Sequence, residues 1–259
     1  MAEYGLLGRN IEYSFSRGFF SKKFERERIK ARYINLDFES IDGFMDWFNH
    51  QNDLHGFNVT IPYKETIIPF LDSVDPVAAT IGAVNTVVIS RQGQLRGYNT
   101  DQYGFTESLN RWNPKMPKKA IILGTGGAAK AVKHALTVQD YEGIQLTRQK
   151  LSIKDLNDQK HTHSAFVLKN YKDMTPEIVD HYSLIINCTP AGTFPNINEA
   201  PEFPYHAIHS GHYLYDLIYN PEKTEFLKRG QAAGAHIKNG LEMLELQALA
   251  AWNLWQKAH

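Results

Sequence analysis

The sequence has one cysteine, no excess of either charge and no long hydrophobic run, and each absence excludes a class of protein. Because Cys188 is the only cysteine, no intrachain disulfide can form, and a reducing compartment is the simplest interpretation. Lysine plus arginine (28) balance aspartate plus glutamate (28), which argues against nucleic acid or an anionic membrane as a partner. No run approaches the ~18 apolar residues of a membrane span, and the N-terminus does not resemble a signal peptide. We expect a cytoplasmic protein that is a monomer or a homodimer.

The sequence does contain an alternation of short apolar runs and amphipathic stretches, which is typical of α/β architecture. A proline-rich segment at residues 113–118 predicts a linker between two α/β units. In the first unit we predict strands at residues 4–8, 32–37, 56–61, 83–90 and 94–98, and helices at 19–30, 41–50 and 101–112, the last capped by Asp101. In the second we predict strands at 120–123, 144–147, 165–168, 184–187 and 213–217, and helices at 127–138, within 150–180, and at 241–255.

A glycine-rich turn lies between the first strand and first helix of the second unit. The run Gly124-Thr-Gly126-Gly127-Ala128-Ala129 fits the pattern G-x-G-x-x-G/A of dinucleotide-binding proteins. In that pattern the first glycine makes the tight turn and the second lets the backbone approach a pyrophosphate. The following helix N-terminus offers free N–H groups to the anion. A purely structural turn is the alternative.

The residues after the next strand indicate which dinucleotide is bound. NAD sites usually carry an acidic residue there, which binds the ribose hydroxyls. This sequence instead has Thr147-Arg148-Gln149-Lys150, with two cations and no acid. The planar guanidinium of Arg148 is suited to a 2′-phosphate, so NADP is favoured over NAD. Alternatively, both cations are solvated residues at a strand end.

Three polar strings in the first half lie near predicted element ends. They are Ser14-Phe-Ser16, then Asn58-Val-Thr60-Ile-Pro-Tyr-Lys64, and then Asn85-Thr together with Asn99-Thr-Asp101. Because α/β sites form at the carboxyl ends of parallel strands, Lys64 is well placed for chemistry. Each string also has a structural alternative. A serine can cap the next helix, a lysine can face solvent, and an aspartate can serve only as a cap.

Taken together, these strings resemble the shikimate dehydrogenase family over nearly the whole chain and in order. The matching motifs are Ser14-x-Ser16, Asn58-Val-Thr-Ile-Pro-Tyr-Lys64-Glu, Gly82-Ala-Val-Asn85-Thr, Asn99-Thr-Asp101, Gly124-x-Gly-Gly-Ala-Ala, Ile186-Asn187-x-Thr189-Pro-x-Gly192, Asp216-x-x-Tyr219-x-Pro221 and Gly240-x-x-Met243-Leu-x-x-Gln247-Ala. The resemblance implies an NADP-dependent oxidoreductase that reversibly reduces 3-dehydroshikimate to shikimate. It implies a substrate-binding catalytic domain (residues 1–112, joined by the C-terminal helix 236–259) and a doubly wound Rossmann-type NADP-binding domain (residues 113–235).

The resemblance also implies a role for each site residue. Lys64 is the catalytic acid/base and Asp101 is its partner. The implied substrate-binding residues are Ser14 and Ser16 for the carboxylate, Asn58, Thr60, Asn85 and Gln247 for the ring, and Tyr219 near the nicotinamide. The implied cofactor-binding residues are Gly124, Gly126, Gly127, Ala128, Thr147, Arg148, Lys150, Thr189 and Gly240. Hydride delivery to a ketone develops negative charge on oxygen, which an ammonium group stabilises and can protonate. Whether Lys64 is mainly a proton donor or an electrostatic clamp stays open, and no metal is required.

The sequence departs from the family in two places. Arg17-Gly18 follows Ser16 where the family usually has Ser or Leu and then Pro, and Thr147-Arg148 stands where Asn-Arg-Thr is common. Arg17 leaves a quinate/shikimate or aminoshikimate dehydrogenase as an alternative. A catalytically inactive, dinucleotide-responsive binding module is a second alternative, disfavoured by the presence of both Lys64 and Asp101. We interpret Cys188 as a core residue and the histidines of segment 206–212 as a solvated loop rather than a metal site.

Overall fold

The computed structural model describes residues 1–12, 14–112, 114–151 and 165–259. These residues form two compact units, Met1–Tyr103 with Glu245–His259, and Gly104–Leu244. Part of the segment in which we predicted helices, residues 152–164, lies outside the described residues. No helix in the described ranges is long and apolar enough to cross a membrane.

The first unit is built on a mixed six-stranded sheet. Its described strands are β1 (Ala2–Gly8), β2 (Ala31–Asp37), β3 (Leu54–Val59), β4 (Ser73–Val74), β5 (Thr86–Ile89) and β6 (Leu95–Tyr98), in the order β2-β1-β3-β5-β6-β4. β1 pairs in parallel with β2 and β3, whereas β5 and β6 form the predicted antiparallel hairpin. Its helices are α1 (Phe15–Arg26), α2 (Ile41–Phe48) and α3 (Pro76–Ile81), with a short 3-10 helix at Ile68–Phe70.

Both faces of this sheet are buried under helices, and alternate side chains of one strand pack on opposite faces. On one face Leu7 packs with Phe44 of α2 and Phe57 of β3. On the other face Leu6 lies in an aromatic cluster with Phe20 of α1 and Trp255. Trp255 belongs to the C-terminal helix, so residues from both ends of the sequence share one core.

The second unit is a fully parallel, six-stranded sheet. Its described strands are β7 (Lys119–Leu123), β8 (Glu142–Thr147), β9 (Phe166–Asn170), β10 (Leu184–Asn187), β11 (Tyr213–Asp216) and β12 (His236–Lys238), in the order β12-β11-β10-β7-β8-β9. This is the 3-2-1-4-5-6 order of a doubly wound Rossmann fold. Its described helices are α5 (Gly127–Val138), α6 (Pro176–Asp180) and α7 (Glu225–Ala232), with short 3-10 helices at Tyr171–Asp173 and Tyr205–Ala207. Helices α4 (Thr100–Trp112) and α8 (Leu241–Ala258) cross the division between the units.

The strand order of the second unit determines where a ligand can bind. β7 neighbours β8 on one side and β10 on the other, so the direction of winding reverses between β7 and β10. Ligands of such sheets bind at the carboxyl ends of the strands beside this switch point. The glycine turn follows β7 directly, which places it there. The predicted α/β class with a doubly wound second sheet is confirmed.

Candidate active site

The side chains of Lys64 and Asp101 form a direct ion pair. Lys64 lies in the turn that follows β3, and its Nζ donates to Asp101 Oδ2 over 2.6 Å. The two side chains are only 15% and 3% exposed. A pair so little solvated interacts more strongly than a surface ion pair, and its geometry is more firmly fixed.

Asp101 is not the cap of its helix, so that prediction was wrong. Helix α4 begins at Thr100, and the side chain of Asn99 accepts from the Gln102 backbone N–H over 3.1 Å. Asn99 therefore provides the N-cap. Both carboxylate oxygens of Asp101 instead accept from side chains, Oδ2 from Lys64 and Oδ1 from Asn85 Nδ2 over 2.9 Å.

Asn85 connects this pair to the C-terminal helix. Its Nδ2 also donates to Gln247 Oε1 of α8 over 2.9 Å. Its Oδ1 accepts from the Thr100 backbone N–H over 2.7 Å, which fixes the orientation of the amide. The structure thus brings together four predicted site residues that are far apart in sequence: Lys64, Asn85, Asp101 and Gln247.

Asn58 belongs to a second cluster of hydrogen-bonded side chains, in which both ends of its amide have a partner. Its Oδ1 accepts from Tyr33 OH over 2.8 Å, and its Nδ2 donates to Thr86 Oγ1 over 3.0 Å. Burial raises the pKa of Tyr33, and a hydrogen bond with the Ser16 side chain opposes that rise. The structure therefore places Ser16 and Asn58 at one phenol group. Tyr33 and Thr86 were not predicted as site residues.

Ser14 and Thr60 have mainly backbone contacts in the described residues. Ser14 is the N-cap of α1, and its hydroxyl accepts from the Arg17 N–H over 3.4 Å. This is the structural alternative that its sequence context left open. The backbone N–H of Thr60 donates to Leu7 O over 2.8 Å, and its side chain is half-buried.

The glycine turn has the backbone that the dinucleotide pattern requires. Gly124 has a φ of 109°, a conformation that favours glycine, and a Cβ there would lie 3.2 Å from Thr189 Cγ2. Gly126 is the N-cap of α5 and has no side chain to cover the first-turn N–H groups. Gly127 and Ala128 begin the helix, and Ala129 is fully buried, as close helix–sheet packing demands.

Of the three predicted cofactor residues at and just after the end of β8, only Thr147 is buried. The Thr147 side chain is 4% exposed, and its Oγ1 accepts from the Gln149 N–H over 3.1 Å, so it shapes the turn. Arg148 and Lys150 are exposed. The Arg148 guanidinium carbon lies 6.0 Å from the centre of the Tyr171 ring.

Thr189 and Gly240 lie in loops at the carboxyl ends of β10 and β12. The Thr189 hydroxyl donates to Asn187 Oδ1 over 2.7 Å. A side chain on Gly240 would overlap the Leu217 carbonyl group, so only glycine fits there. Tyr219 is half-buried in the turn after β11.

The histidines of segment 206–212 are not all solvated, so that interpretation was wrong for His212. His212 is 1% exposed, and its Nδ1 accepts from the His209 N–H over 3.1 Å. His206 and His209 are exposed. Within the described ranges, no group of three or more histidine, cysteine or acidic side chains is arranged to hold a metal ion.

Comparison with known proteins decides the family. Residues 6–87 match the profile described as the shikimate dehydrogenase substrate binding domain. A relative from Desulforamulus reducens named shikimate dehydrogenase (NADP(+)) is 34% identical over 266 residues, which cover 97% of this chain and 88% of that protein. A relative of the same name from Clostridium botulinum is 38% identical over 254 residues, covering 97% and 95%. This chain belongs to the shikimate dehydrogenase family.

Solved structures agree with this shikimate dehydrogenase family assignment. Shikimate dehydrogenase 1 from Peptoclostridium difficile superposes with a TM-score of 0.83 and 33% identity, covering 100% of this chain and 93% of that one. The shikimate 5-dehydrogenase from Thermus thermophilus, solved in complex with NADP(H) and shikimate, gives a TM-score of 0.82 and 30% identity, covering 99% and 94%. The family predicted from the sequence motifs is thus confirmed.

Several polar residues that shape this family member's site were not predicted. Gln145, in the middle of β8, donates from Nε2 to Gly124 O over 3.0 Å and so supports the glycine turn. Thr224 donates to the buried carboxylate of Asp216 over 2.5 Å. The available signal was a polar side chain within an otherwise apolar strand, since a buried amide such as Gln145 needs a hydrogen-bond partner.

Proposed function

We propose that this protein is an NADP-dependent shikimate dehydrogenase that interconverts 3-dehydroshikimate and shikimate. The observation that carries the proposal is the enclosed Lys64–Asp101 ion pair, whose carboxylate is also bonded to Asn85. It stands in a chain whose relatives bear the name shikimate dehydrogenase (NADP(+)). An inactive binding module has no use for a buried ammonium–carboxylate pair.

Lys64 is the proposed acid/base at the reacting oxygen of the ring. When the ketone is reduced, the Lys64 ammonium stabilises the negative charge that develops on oxygen and donates the proton. When the alcohol is oxidised, Lys64 accepts the hydroxyl proton. Asp101 holds Nζ in place, and the bond from Asn85 keeps that carboxylate from turning away. The bound nicotinamide supplies the hydride chemistry.

The remaining predicted residues bind the substrate. Ser14 and Ser16 lie at the start of α1, where hydroxyl donors can hold the substrate carboxylate. Gln247 and Asn85 present amide groups beside Lys64 that can bind ring hydroxyls. Further ring contacts are assigned to Asn58 and Thr60, and Tyr219 is assigned to the part of the substrate site near the nicotinamide.

The glycine turn and the exposed cations are proposed to bind NADP. Gly124 makes the tight turn, and Gly126, Gly127 and Ala128 leave backbone N–H groups open to the pyrophosphate at the start of α5. Arg148 binds the 2′-phosphate, with Lys150 as a second cation and Thr147 shaping their turn. Thr189 and Gly240 complete the cofactor site.

The domain roles follow from these assignments. Residues 1–112 with 236–259 bind the substrate, which the match of residues 6–87 to the substrate binding domain supports. Residues 113–235 bind NADP. We further propose a cytoplasmic protein, monomeric or homodimeric and without a nucleic-acid partner, which the single cysteine and the balanced charge support.

The test is to incubate the purified protein with shikimate and NADP and to follow the absorbance of reduced nicotinamide. We expect turnover with shikimate and NADP, and a lower kcat/KM with quinate or with NAD. A higher kcat/KM for quinate would replace the shikimate assignment and would direct attention to Arg17. Absence of turnover with every pair, in protein that binds NADP, would leave the binding-module alternative.

A further inference from the structure

Asp216 is a buried carboxylate with no part in the proposed proton transfer. It ends β11, is 0% exposed, and accepts hydrogen bonds from Asn187 Nδ2 (3.0 Å), the Ile218 N–H (3.0 Å) and Thr224 Oγ1 (2.5 Å). Burial raises the pKa of Asp216 to about 7, against the lowering effect of these bonds. An apolar side chain would fill this position at a lower cost in desolvation, so folding alone does not explain the carboxylate.

On one side Asp216 is linked to the glycine turn. Asn187 donates to Asp216, and the other end of the same amide accepts from the Thr189 N–H over 2.9 Å and from the Thr189 hydroxyl over 2.7 Å. Thr189 in turn lies against Gly124, with its Cγ2 3.2 Å from a Cβ built there. The conformation of the Thr189 loop therefore depends on a contact to Asp216 through one amide group.

On the other side Asp216 fixes the turn that carries Tyr219. It accepts from the Ile218 N–H near the start of that turn and from the Thr224 hydroxyl at its end. Thr224 is also the N-cap of α7, where its hydroxyl accepts from the Leu227 N–H over 3.4 Å. One carboxyl group thus joins the end of β10, the turn after β11 and the start of α7.

We propose that Asp216 is a positioning residue that holds the Thr189 loop and the Tyr219 turn in the conformation that binds the dinucleotide, an inference that rests on the proposed function. Loops held in the bound conformation before binding lose less conformational entropy when the ligand arrives. Asp216 can bond to three segments at once because a carboxylate accepts at several positions. Removal of the acceptor therefore loosens both loops without touching Lys64.

The experiment compares Asp216→Leu, which removes every acceptor, with Asp216→Asn, which keeps one oxygen in a side chain of the same shape. The Kd for NADP is measured by titration calorimetry, alongside kcat and the KM for shikimate. Hydrogen exchange of residues 188–192 and 217–224 is measured in the protein without cofactor. For Asp216→Leu we expect the Kd for NADP to rise about 10- to 100-fold, with a smaller rise in the KM for shikimate because the Tyr219 turn is loosened, and with kcat at saturating NADP within about threefold. Exchange in both segments should accelerate, and Asp216→Asn should restore the Kd to within about threefold.

Ser108→Ala is the matched control for a purely structural effect. Ser108 is 0% exposed in the same unit and accepts from Tyr215 OH over 2.8 Å. Its loss should lower stability but leave the Kd for NADP unchanged. If Asp216→Leu does not fold, Thr224→Val removes one donor to the carboxylate and Thr224→Ser restores it, with the same expected direction in Kd.

Two results would overturn the inference. One is an unchanged Kd for NADP in folded Asp216→Leu or Thr224→Val protein. The other is a rise in Kd that Ser108→Ala reproduces at an equal loss of stability. Neither result is the same as failure of the proposed function, which would show as wild-type protein that neither binds NADP nor oxidises shikimate.

Discussion

Ser14 and Ser16 lie two residues apart but have different contacts. The Ser14 hydroxyl accepts from the Arg17 N–H and caps α1, whereas the Ser16 side chain is hydrogen-bonded to Tyr33. A cap is worth about 1 kcal/mol of stability, so substitution of Ser14 affects folding as well as any bound ligand. Substitution of Ser16 likewise removes its hydrogen bond to Tyr33, so the stability of each serine variant is measured together with its kinetics.

We expect Ser16→Ala to raise the KM for shikimate about tenfold or more, because a hydrogen bond to a charged group is worth about 1.5–3 kcal/mol. Its free energy of unfolding should fall by about 1 kcal/mol, because the hydrogen bond to Tyr33 is lost. Ser14→Ala should combine a similar rise in KM with the loss of about 1 kcal/mol of stability. Steady-state kinetics and urea unfolding measure the two effects. An unchanged KM in Ser16→Ala would assign the carboxylate to another group, with Arg17 the first to test.

Arg148 is exposed and carries the proposed NADP preference. In Arg148→Ala we expect kcat/KM for NADP to fall about 10- to 150-fold while that for NAD changes little, because NAD lacks the 2′-phosphate. Lys150→Ala is the matched control and should have a smaller effect, since an ammonium group makes no bidentate contact. The preference should weaken as salt rises. The measurement is the ratio of kcat/KM for NADP to kcat/KM for NAD. A value below one in the wild type, or an unchanged value in Arg148→Ala, contradicts this assignment.

At the scale of single residues, the sequence motifs predict the side chains that carry reactive or donor groups. They do not predict the side chains that position those groups by hydrogen bonds. A hydrophobic core does not need the polar runs that contain Lys64, Asp101 and Asn85. Their sequence context therefore marks these three residues as candidates for the site. Tyr33 has no such context, because an aromatic residue in a strand is ordinarily a core residue. Its bond to Asn58 crosses from β2 to β3, and sequence spacing does not contain that pairing.

At the scale of the element, the helix and strand types were predicted more reliably than their ends. The first helix was predicted at residues 19–30 but spans Phe15–Arg26. It begins early because Ser14 caps it, and it has ended before Arg28, whose φ of 54° is not helical. Within the last helix, the apolar side chains of Leu241 and Leu249 are 39% and 40% exposed.

The last helix, α8, is held in the first unit by Trp255, which is fully buried. Its indole N–H donates to Val87 O over 2.9 Å, and its ring lies against Gly56, where a side chain would overlap it. We expect Trp255→Ala to cost about 3–5 kcal/mol of stability by leaving a cavity. Leu249→Ala, an exposed position on the same helix, should cost less than about 0.5 kcal/mol. Similar unfolding midpoints for the two variants in urea would contradict this account of the helix.

At the scale of the whole molecule, one buried carboxyl links stability to pH. Burial raises the pKa of Asp216 from 3.8 to about 7, so the folded protein holds a proton that the unfolded chain releases. Its contribution to stability is therefore complete below the unfolded pKa and is lost as the pH rises through about 7. The titratable groups that face it, Cys188 and Tyr205, have pKa values raised by burial and stay neutral in this window.

Asp216→Asn removes this dependence because the amide does not titrate. The free energy of unfolding of the variant minus that of the wild type should therefore rise by about 3 kcal/mol as the pH increases from about 5 to about 8. Urea unfolding of both proteins across that range measures the difference. A difference that does not change with pH would show that the carboxyl titrates normally in the folded protein.

For the second unit, the sequence predicts the doubly wound fold class but not every strand of the sheet. The glycine turn predicts a strand–turn–helix unit and hence a doubly wound sheet. It does not predict β12, since the three residues His236–Lys238 are too few to give a periodic pattern. Short edge elements of this kind form because a neighbouring strand, here β11, offers a free edge.

The central claim is that Lys64 transfers the proton in an NADP-dependent oxidation of shikimate. The most direct measurement is kcat and the KM for shikimate in wild type, in Lys64→Ala and in Lys22→Ala, an exposed lysine of α1 that serves as the control. Proton transfer by a positioned group is worth roughly 10²–10⁴-fold, so we predict a fall of that size in kcat for Lys64→Ala, with a much smaller change in KM and none for Lys22→Ala. Near-wild-type turnover by folded Lys64→Ala would contradict the account.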